Sequence, residues 1–165
     1  MPGPRRVALV LAVAGACVRG GPRPEAVDPA APTAEVYPEG ASDFAGEWVG
    51  ESAGAFGTLT ITRLASDRYY ARFVSDDGLT RYVCNLRQVA ATPAEGGAMT
   101  PGNLAVFTWQ DGRGGSGQGW VLINRESSAL TGEIRVGAPA PLDFVRVDAP
   151  AEAPIAAQGG AAAAE

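Results

Sequence analysis

Histidine and lysine are absent from this 165-residue chain and only two cysteines occur, so several classes of site are excluded at the outset. Without an imidazole, neither a Ser-His-Asp triad nor a Cys-His pair can form, and no histidine-ligated metal site is available. An enzyme would have to use carboxylates, arginine, tyrosine or Cys84, and the sequence brings no nucleophile and base together. We therefore expect a non-catalytic protein with no metal and no other cofactor.

Positive charge is also scarce. Thirteen arginines stand against 18 acidic residues, which gives a formal net charge of −5. Nucleic-acid affinity depends largely on the neutralisation of phosphates by basic side chains, so this balance argues against a nucleic-acid partner. The 22 glycines, the 13 prolines and a 46% hydrophobic content are typical of a β-rich domain with disordered flanks.

Residues 1–16 predict a secretory signal peptide. Arg5 and Arg6 precede an apolar run, residues 7–16, that is too short to span a bilayer. Ala14-Gly15-Ala16-Cys17 resembles the lipobox of bacterial lipoproteins, in which the cysteine after the cleavage site is lipidated. The resemblance implies a lipid on Cys17 and a membrane anchor in the bacterial envelope, in the outer membrane or on the periplasmic side. Ordinary signal peptidase would cut the same bond, and the protein would then be periplasmic or secreted.

Two low-complexity segments flank the rest of the chain. Residues 17–43 contain five prolines and no apolar period, which predicts a disordered linker after the lipidated cysteine. Residues 149–165 are rich in alanine and glycine and predict a second disordered tail. Residues 44–148 remain as the one folded domain.

Within residues 44–148, short apolar runs are separated by turn-forming residues. Alternation with period two, as in Thr58-Leu59-Thr60-Ile61-Thr62, marks half-buried strands, and no segment follows the helical period of 3.6. Eight strands are predicted, at residues 47–51, 58–64, 68–75, 80–89, 104–110, 119–125, 129–136 and 142–147. Eight sequential strands with short links form a meander that loses its exposed edges when it closes. The prediction is an all-β fold, an eight-stranded antiparallel up-and-down β-barrel.

Asp77-Gly78 indicates a hairpin between the third and fourth strands. A two-residue type I′ turn there, with positive φ at both positions, sets the register of the pair. Three inward pairs result: Phe73 with Tyr82, Ala71 with Cys84, and Tyr69 with Leu86. The outer face receives a basic stripe of Arg68, Arg72, Arg81 and Arg87, either a solvated face or a contact for an acidic protein or anionic surface. Cys84 is predicted to be buried as a small hydrophobe.

Bulky side chains dominate the positions predicted to face inward. These are Trp48, Leu59, Ile61, Ala71, Phe73, Tyr82, Leu86, Phe107, Trp109, Trp120, Leu122, Leu130, Ile134, Leu142 and Phe144. An eight-stranded barrel is only wide enough to be filled by side chains or to hold one small ligand. The interior is therefore predicted to be filled or to end in a shallow aromatic mouth.

The glycine-rich residues 111–119 separate two apolar runs that each contain a tryptophan. Gly112-Arg113-Gly114-Gly115-Ser116-Gly117 formally matches a dinucleotide-binding loop, but such a loop needs a helix after it. Here Trp120-Val121-Leu122-Ile123 follows, which is a strand. We interpret the glycines as a hairpin tip. Trp109 and Trp120 lie at equal distances from the Gly114-Gly115 pair at the centre of this tip, which predicts two indoles opposite one another on the paired strands.

Gly46-Glu47-Trp48, at the start of the first strand, resembles the Gly-x-Trp motif of the calycins, the lipocalin- and avidin-like barrels. The resemblance implies that Arg146 packs over Trp48 as a cation–π pair and closes one end of the barrel. Loops after the odd-numbered strands then form the opposite mouth. Predicted there, as contacts for a small apolar or aromatic ligand or an envelope protein, are Phe56, Asp77, Trp109, Arg113 and Trp120. A looser resemblance to a bacterial protease-inhibitor barrel leaves open an envelope scaffold or inhibitor that acts through its loops.

Overall fold

A computed structural model of the chain describes residues 31–147, which form one closed β-barrel. The strands are β1 (Gly46–Ser52), β2 (Ala55–Ala65), β3 (Arg68–Ser75), β4 (Arg81–Ala91), β5 (Thr100–Asp111), β6 (Ser116–Ile123), β7 (Ala129–Val136) and β8 (Ala138–Arg146). Each strand pairs antiparallel with the next and β8 pairs with β1, so no sheet edge is left open. The predicted fold class is confirmed. Cys17, the predicted signal peptide and the predicted tail lie outside the described residues.

The β3–β4 hairpin has the predicted register. Phe73 pairs with Tyr82, and the Ala71–Cys84 and Tyr69–Leu86 pairs follow, with all six side chains buried. The turn itself is different from the predicted type I′ turn. Five residues, 76–80, connect the strands. Gly78 has a φ of 69°, and Asp77 is not among the non-glycine residues with positive φ. The Asp77 carboxylate accepts hydrogen bonds from the Leu79 amide and the Ser75 hydroxyl, which stabilises the turn without a left-handed residue at position 77.

The β5–β6 hairpin does not have the predicted symmetry. Trp109 pairs with Gly117 and Val106 pairs with Trp120, so the two indoles are not opposite one another. The observed register differs from the expected one by three residues, and an odd shift exchanges the two faces of a strand. Val121 therefore points inward, and the predictions that Trp120 and Leu122 face the interior are wrong. The other 13 predicted interior side chains are buried.

The closed end of the barrel contains the pair that the calycin resemblance implied. The guanidinium carbon of Arg146 lies 4.2 Å from the ring centroid of Trp48, which is fully buried. The guanidinium also donates hydrogen bonds to the backbone carbonyls of Ser127 (2.6 Å), Ala45 (2.8 Å) and Asp43 (2.9 Å). Arg146 thus joins β8, the β6–β7 loop and the chain before β1.

Residues 31–43, the described part of the predicted disordered linker, lie against the barrel. The Asn103 amide N–H donates to the Glu35 carbonyl, and the Glu35 N–H donates to the Asn103 side-chain oxygen, both at 2.8 Å. The Tyr37 hydroxyl donates to the Ile123 carbonyl at 3.0 Å. This part of the linker is therefore docked by specific hydrogen bonds. No helix of membrane-spanning length and hydropathy occurs among residues 31–147.

Candidate functional site

A cavity of about 600 Å³ opens at the end of the barrel opposite the Trp48–Arg146 pair. The up-and-down order of the strands brings the loops after β1, β3, β5 and β7 together at this end. We call this cavity the cup. Its lining comes from the ends of these strands and from the loops: Ser52, Ala53, Ala55, Gly78, Leu79, Thr80, Arg81, Tyr82, Trp109, Asp111, Gly112, Arg113, Ile134 and Val136. A volume of this size is within the usual range for small-molecule sites.

Two aromatic rings, Tyr82 and Trp109, form the inner part of the cup. Their centroids are 6.1 Å apart and the rings are tilted by 57°. The Tyr82 hydroxyl shares a 2.5 Å hydrogen bond with the Ser52 hydroxyl, and the Trp109 indole N–H donates to the Arg135 carbonyl at 3.1 Å. Burial raises the pKa of Tyr82 well above its ordinary value, so the phenol is neutral at physiological pH. With these polar atoms already bonded, the rings offer mainly apolar surface to a ligand.

Beneath the cup the barrel is filled. Phe73 stacks under Tyr82 with centroids 4.9 Å apart and meets Phe144 edge-on at 6.0 Å. The interior cavity lined by residues such as Leu59, Cys84 and Phe107 has only about 20 Å³. Of the two predicted alternatives, a filled interior or a shallow aromatic mouth, the structure therefore has features of both: packed side chains below and aromatic rings at the cup.

Glycines of β6 make room for the aromatic side chains of β5. A Cβ atom on Gly117 would lie 2.7 Å from the Trp109 indole nitrogen, and one on Gly119 would lie 2.4 Å from the Phe107 ring. Both glycines face the interior, since buried Val121 continues the same parity. The glycine-rich segment therefore has two parts. Residues 112–115 form the turn, and the glycines beyond it form the surface against which Trp109 and Phe107 pack.

The rim of the cup combines apolar and charged side chains. Leu79 and Val136 are 70% and 54% exposed, so their apolar surfaces are accessible at the opening. Arg81 and Arg113 supply two guanidinium groups. The Asp111 carboxylate accepts the backbone N–H groups of Arg113 and Gly115 at 2.8 and 2.7 Å, so one of its oxygens is already used to hold the β5–β6 turn.

The structure brings only some of the predicted contact residues to the cup. Trp109 and Arg113 line it. Phe56 is 59% exposed on the outside of β2, and Asp77 is bonded within its own turn, where the Ser75 hydroxyl and the Leu79 amide lower the pKa of its carboxyl. Trp120 lies on the outer side of β6. None of these three side chains lines the cup, although Phe56 and Asp77 lie at the predicted end of the barrel.

Several lining residues were missed as site residues. Tyr82 and Ile134 were predicted only as core, although inward residues at the ends of these strands also form the cup surface. Leu79 and Val136 are adjacent to turns, where alternation no longer indicates a direction. Tyr82 and Ile134 could have been identified from the sequence as inward-facing residues that lie near the open end of their strands.

Alkaline unfolding tests the burial of Cys84. Burial raises the pKa of this thiol from its ordinary value of 9.0 to about 12. Because the folded pKa is the higher one, the thiol's contribution to stability is complete below pH 9 and is lost as the pH rises from 9 to 12. In the pH range where the unfolded state has lost this proton and the folded state still holds it, the free energy of unfolding falls by about 1.4 kcal/mol for each pH unit. We expect Cys84→Ala to have a shallower loss of unfolding free energy between about pH 9 and 10 than the wild type, measured by urea titration. Parallel profiles would contradict the burial.

Among residues 31–147, no three His, Cys, Asp or Glu side chains are close enough together to hold a metal ion. Comparison of the chain with protein-family models, curated proteins and solved structures gave no match. The cup, at about 600 Å³, is therefore the feature of the described residues that we consider as a ligand site.

Proposed function

We propose that the protein is a non-catalytic binding module that holds a small apolar or aromatic molecule in the cup. The observation that carries this proposal is an open cavity of about 600 Å³ with the Tyr82 and Trp109 rings at its inner part. Small-molecule sites are typically concave and mostly apolar, with a few polar groups that fix orientation. The filled barrel beneath limits the ligand to a body of a few rings or a short chain.

We also propose that the protein is exported and anchored to the bacterial envelope through a lipid on Cys17. Support comes from the apolar run and lipobox-like residues in the sequence. The chain enters β1 at the Trp48 end, and the cup is at the other end. An anchor before residue 31 therefore leaves the cup free to face away from the membrane. The closed eight-stranded topology, Gly46-Glu47-Trp48 and Arg146 together support a calycin-like relationship.

Replacement of Cys17 by serine tests the anchor. We expect wild-type protein in the membrane fraction of a bacterial host that processes lipoproteins and the Cys17→Ser variant in the soluble fraction, because a serine cannot carry the thioether-linked lipid. Fractionation followed by immunoblotting measures the distribution. Equal partition of the two proteins would contradict lipidation while leaving the cup's role untouched.

A blocking substitution tests the cup. Ala55 lines the cup and packs at the edge of the core while remaining only half-buried, so the indole of Ala55→Trp is expected to project into the opening. We expect the neutral probe N-phenyl-1-naphthylamine to bind the wild type and to bind Ala55→Trp at least about tenfold more weakly, a difference of about 1.4 kcal/mol. Fluorescence titration on the purified full-length chain measures this.

The matched control is the adjacent residue. Phe56→Ala removes an exposed aromatic ring from the outside of β2, and we expect unchanged probe affinity. Circular dichroism verifies that both variants are folded. Unchanged binding in Ala55→Trp, or absence of binding to the wild type, would overturn the cup as the ligand site.

The second candidate function is an envelope scaffold or protease-inhibitor-like protein that acts through its loops. The packed interior favours it, since the cavity beneath the cup is only about 20 Å³ and a barrel used as a rigid support needs no ligand. A partner retained by both wild type and Ala55→Trp in a cross-linking pull-down would favour the scaffold. A partner lost with Ala55→Trp would favour the cup.

A further inference from the structure

Charge is distributed unevenly around the outside of the barrel. The outward residues of β3 alternate with buried Tyr69, Ala71 and Phe73, and those of β4 alternate with buried Tyr82, Cys84 and Leu86. The outward residues of β2, β3, β4 and β5 include four arginines and no carboxylate; the arginines are Arg68, Arg72, Arg81 and Arg87. We call this surface the basic face. Acidic residues lie outward on the other side of the barrel, at Glu47 and Glu51 of β1, Glu133 of β7 and Asp143 of β8.

A second cavity, of about 290 Å³, lies where the basic face meets the rim of the cup. We call it the groove. Its outer part is formed by Arg72, Val83 and Gln110, from three adjacent strands. Four residues line both the groove and the cup: Arg81, Tyr82, Asp111 and Gly112. The two cavities therefore adjoin each other at the rim.

The chemistry of the groove favours a negative group. Arg72 and Arg81 both line the groove, and guanidinium groups match the oxygens of a carboxylate, sulfonate or phosphate. The Arg81 Nε–H already donates to the Gly78 carbonyl at 3.0 Å, so Arg81 would bind such an anion through its terminal N–H groups. Asp111 is the one carboxylate in the lining, and one of its oxygens is bonded to two backbone amides of the turn. Gln110 adds an amide that can donate to the same oxygens.

We propose that the natural ligand is an amphiphilic anion, with an apolar or aromatic body in the cup and a negative group in the groove. The apolar body of the ligand contacts the ring of Trp109. The part of the ligand that links this body to the negative group passes Arg81 at the rim. The negative group is then held between Arg72 and Arg81. This proposal rests on the proposed function of the cup, to which it adds the charge and position of the ligand's polar group.

Two probes that differ only in a sulfonate test the proposal on the full-length chain. N-phenyl-1-naphthylamine is neutral, and 8-anilinonaphthalene-1-sulfonate has the same ring system with one negative charge. We expect the sulfonate to bind about tenfold more tightly and to compete with the neutral probe. Arg72→Gln should remove most of this advantage and leave the neutral probe's affinity unchanged. Raising the salt concentration should weaken only the anionic probe.

Arg68→Gln is the matched control. Arg68 is an exposed outward arginine of the same strand, four positions and about 13 Å from Arg72, and it does not line the groove. We expect its affinities for both probes to equal those of the wild type. Because Arg68 and Arg72 are both exposed, neither substitution threatens the fold.

The outcomes separate this proposal from the one on which it rests. If the neutral probe binds in the cup but the sulfonate binds no more tightly, or Arg72→Gln has no more effect than Arg68→Gln, the anionic site is overturned and the cup stands. If the neutral probe does not bind, or Ala55→Trp leaves both affinities unchanged, the cup itself fails. Sulfonate binding that survives Ala55→Trp also overturns the two-part site.

Discussion

Gly50→Ala is expected to destabilise the protein by at least about 3 kcal/mol, because the seam between β1 and β8 has no room for one more carbon atom. A Cβ atom at Gly50 would lie 2.0 Å from the Asp143 carbonyl oxygen and 2.7 Å from the Phe144 Cα. Both obstacles are backbone atoms, so no side-chain rotation relieves the contact, and the two strands would have to separate. Overpacking of well-packed sites typically costs 1–3 kcal/mol, and displacement of a closing strand pair should cost at least about 3 kcal/mol. That is a large part of the stability of a small domain.

Gly112→Ala is the matched control for this prediction. Gly112 lies in the β5–β6 turn with ordinary φ and nothing within 4 Å of an added Cβ, so its replacement should change the unfolding free energy by less than about 0.5 kcal/mol. Urea unfolding followed by tryptophan fluorescence compares the two variants. Equal midpoints for Gly50→Ala and Gly112→Ala would contradict closure of the barrel through β1 and β8.

Arg146→Ala is expected to destabilise the protein by about 3 kcal/mol. The substitution removes three hydrogen bonds from the guanidinium to carbonyl oxygens and the contact with the Trp48 ring. Hydrogen bonds to charged groups contribute about 1.5–3 kcal/mol each, and a cation–π contact about 0.5–2 kcal/mol, but partial exposure and non-additivity reduce the sum. We expect the structural effect of the substitution to be largest at residues 43–45, which Arg146 joins to the barrel.

Two further arginine variants give the prediction its controls. Arg146→Lys retains the charge over Trp48 but cannot reproduce the planar set of donors, so we expect it to restore less than half of the lost stability. Arg68→Ala removes an exposed arginine and should change the unfolding free energy by less than about 0.5 kcal/mol. Chemical denaturation measures all three. A loss in Arg146→Ala no larger than that in Arg68→Ala would show that the closed end is held by other contacts.

The sequence was sufficient for β3 and β4 because both faces of this hairpin carry a strong signal. Along β3, arginines alternate with apolar residues: Arg68 and Arg72 face outward, and Tyr69, Ala71 and Phe73 face inward. Only one register is compatible with this pattern, since a slip of one residue would bury the arginines. The turn type could not be predicted in the same way. A hydrogen bond from the Leu79 amide to Asp77 stabilises a different turn that joins the same residue pairs.

The β5–β6 hairpin shows where hydrophobic pattern fails. Gly117 and Gly119 face the interior but contribute no apolar side chain, while Trp120 and Leu122 lie outward and look like core residues. The true partners of the glycines are the rings of Trp109 and Phe107 on the neighbouring strand. That relationship depends on cross-strand geometry, which periodicity along one strand does not contain.

The location of the cup was predictable and its composition was not. Alternating strand direction alone places the loops after β1, β3, β5 and β7 at one end, opposite Trp48. Which side chains turn toward the opening depends on local turn geometry, so Leu79 lines the cup without having been predicted, while Phe56 and Asp77 lie at the predicted end but do not line it. Docking of residues 31–43 involves hydrogen bonds between the Glu35 backbone and both the backbone and the side chain of Asn103, which the hydrophobic pattern does not reveal.

Amide chemical shifts during titration with N-phenyl-1-naphthylamine test the central claim, that the cup is the ligand site, most directly. The predicted result is a saturable set of changes at Ser52, Tyr82, Trp109 and Ile134, which line the cup. Trp48, at the closed end, should not shift. Changes centred on the closed end or spread over the outer surface, or no changes at saturating probe, would contradict a binding function for the mouth of this barrel.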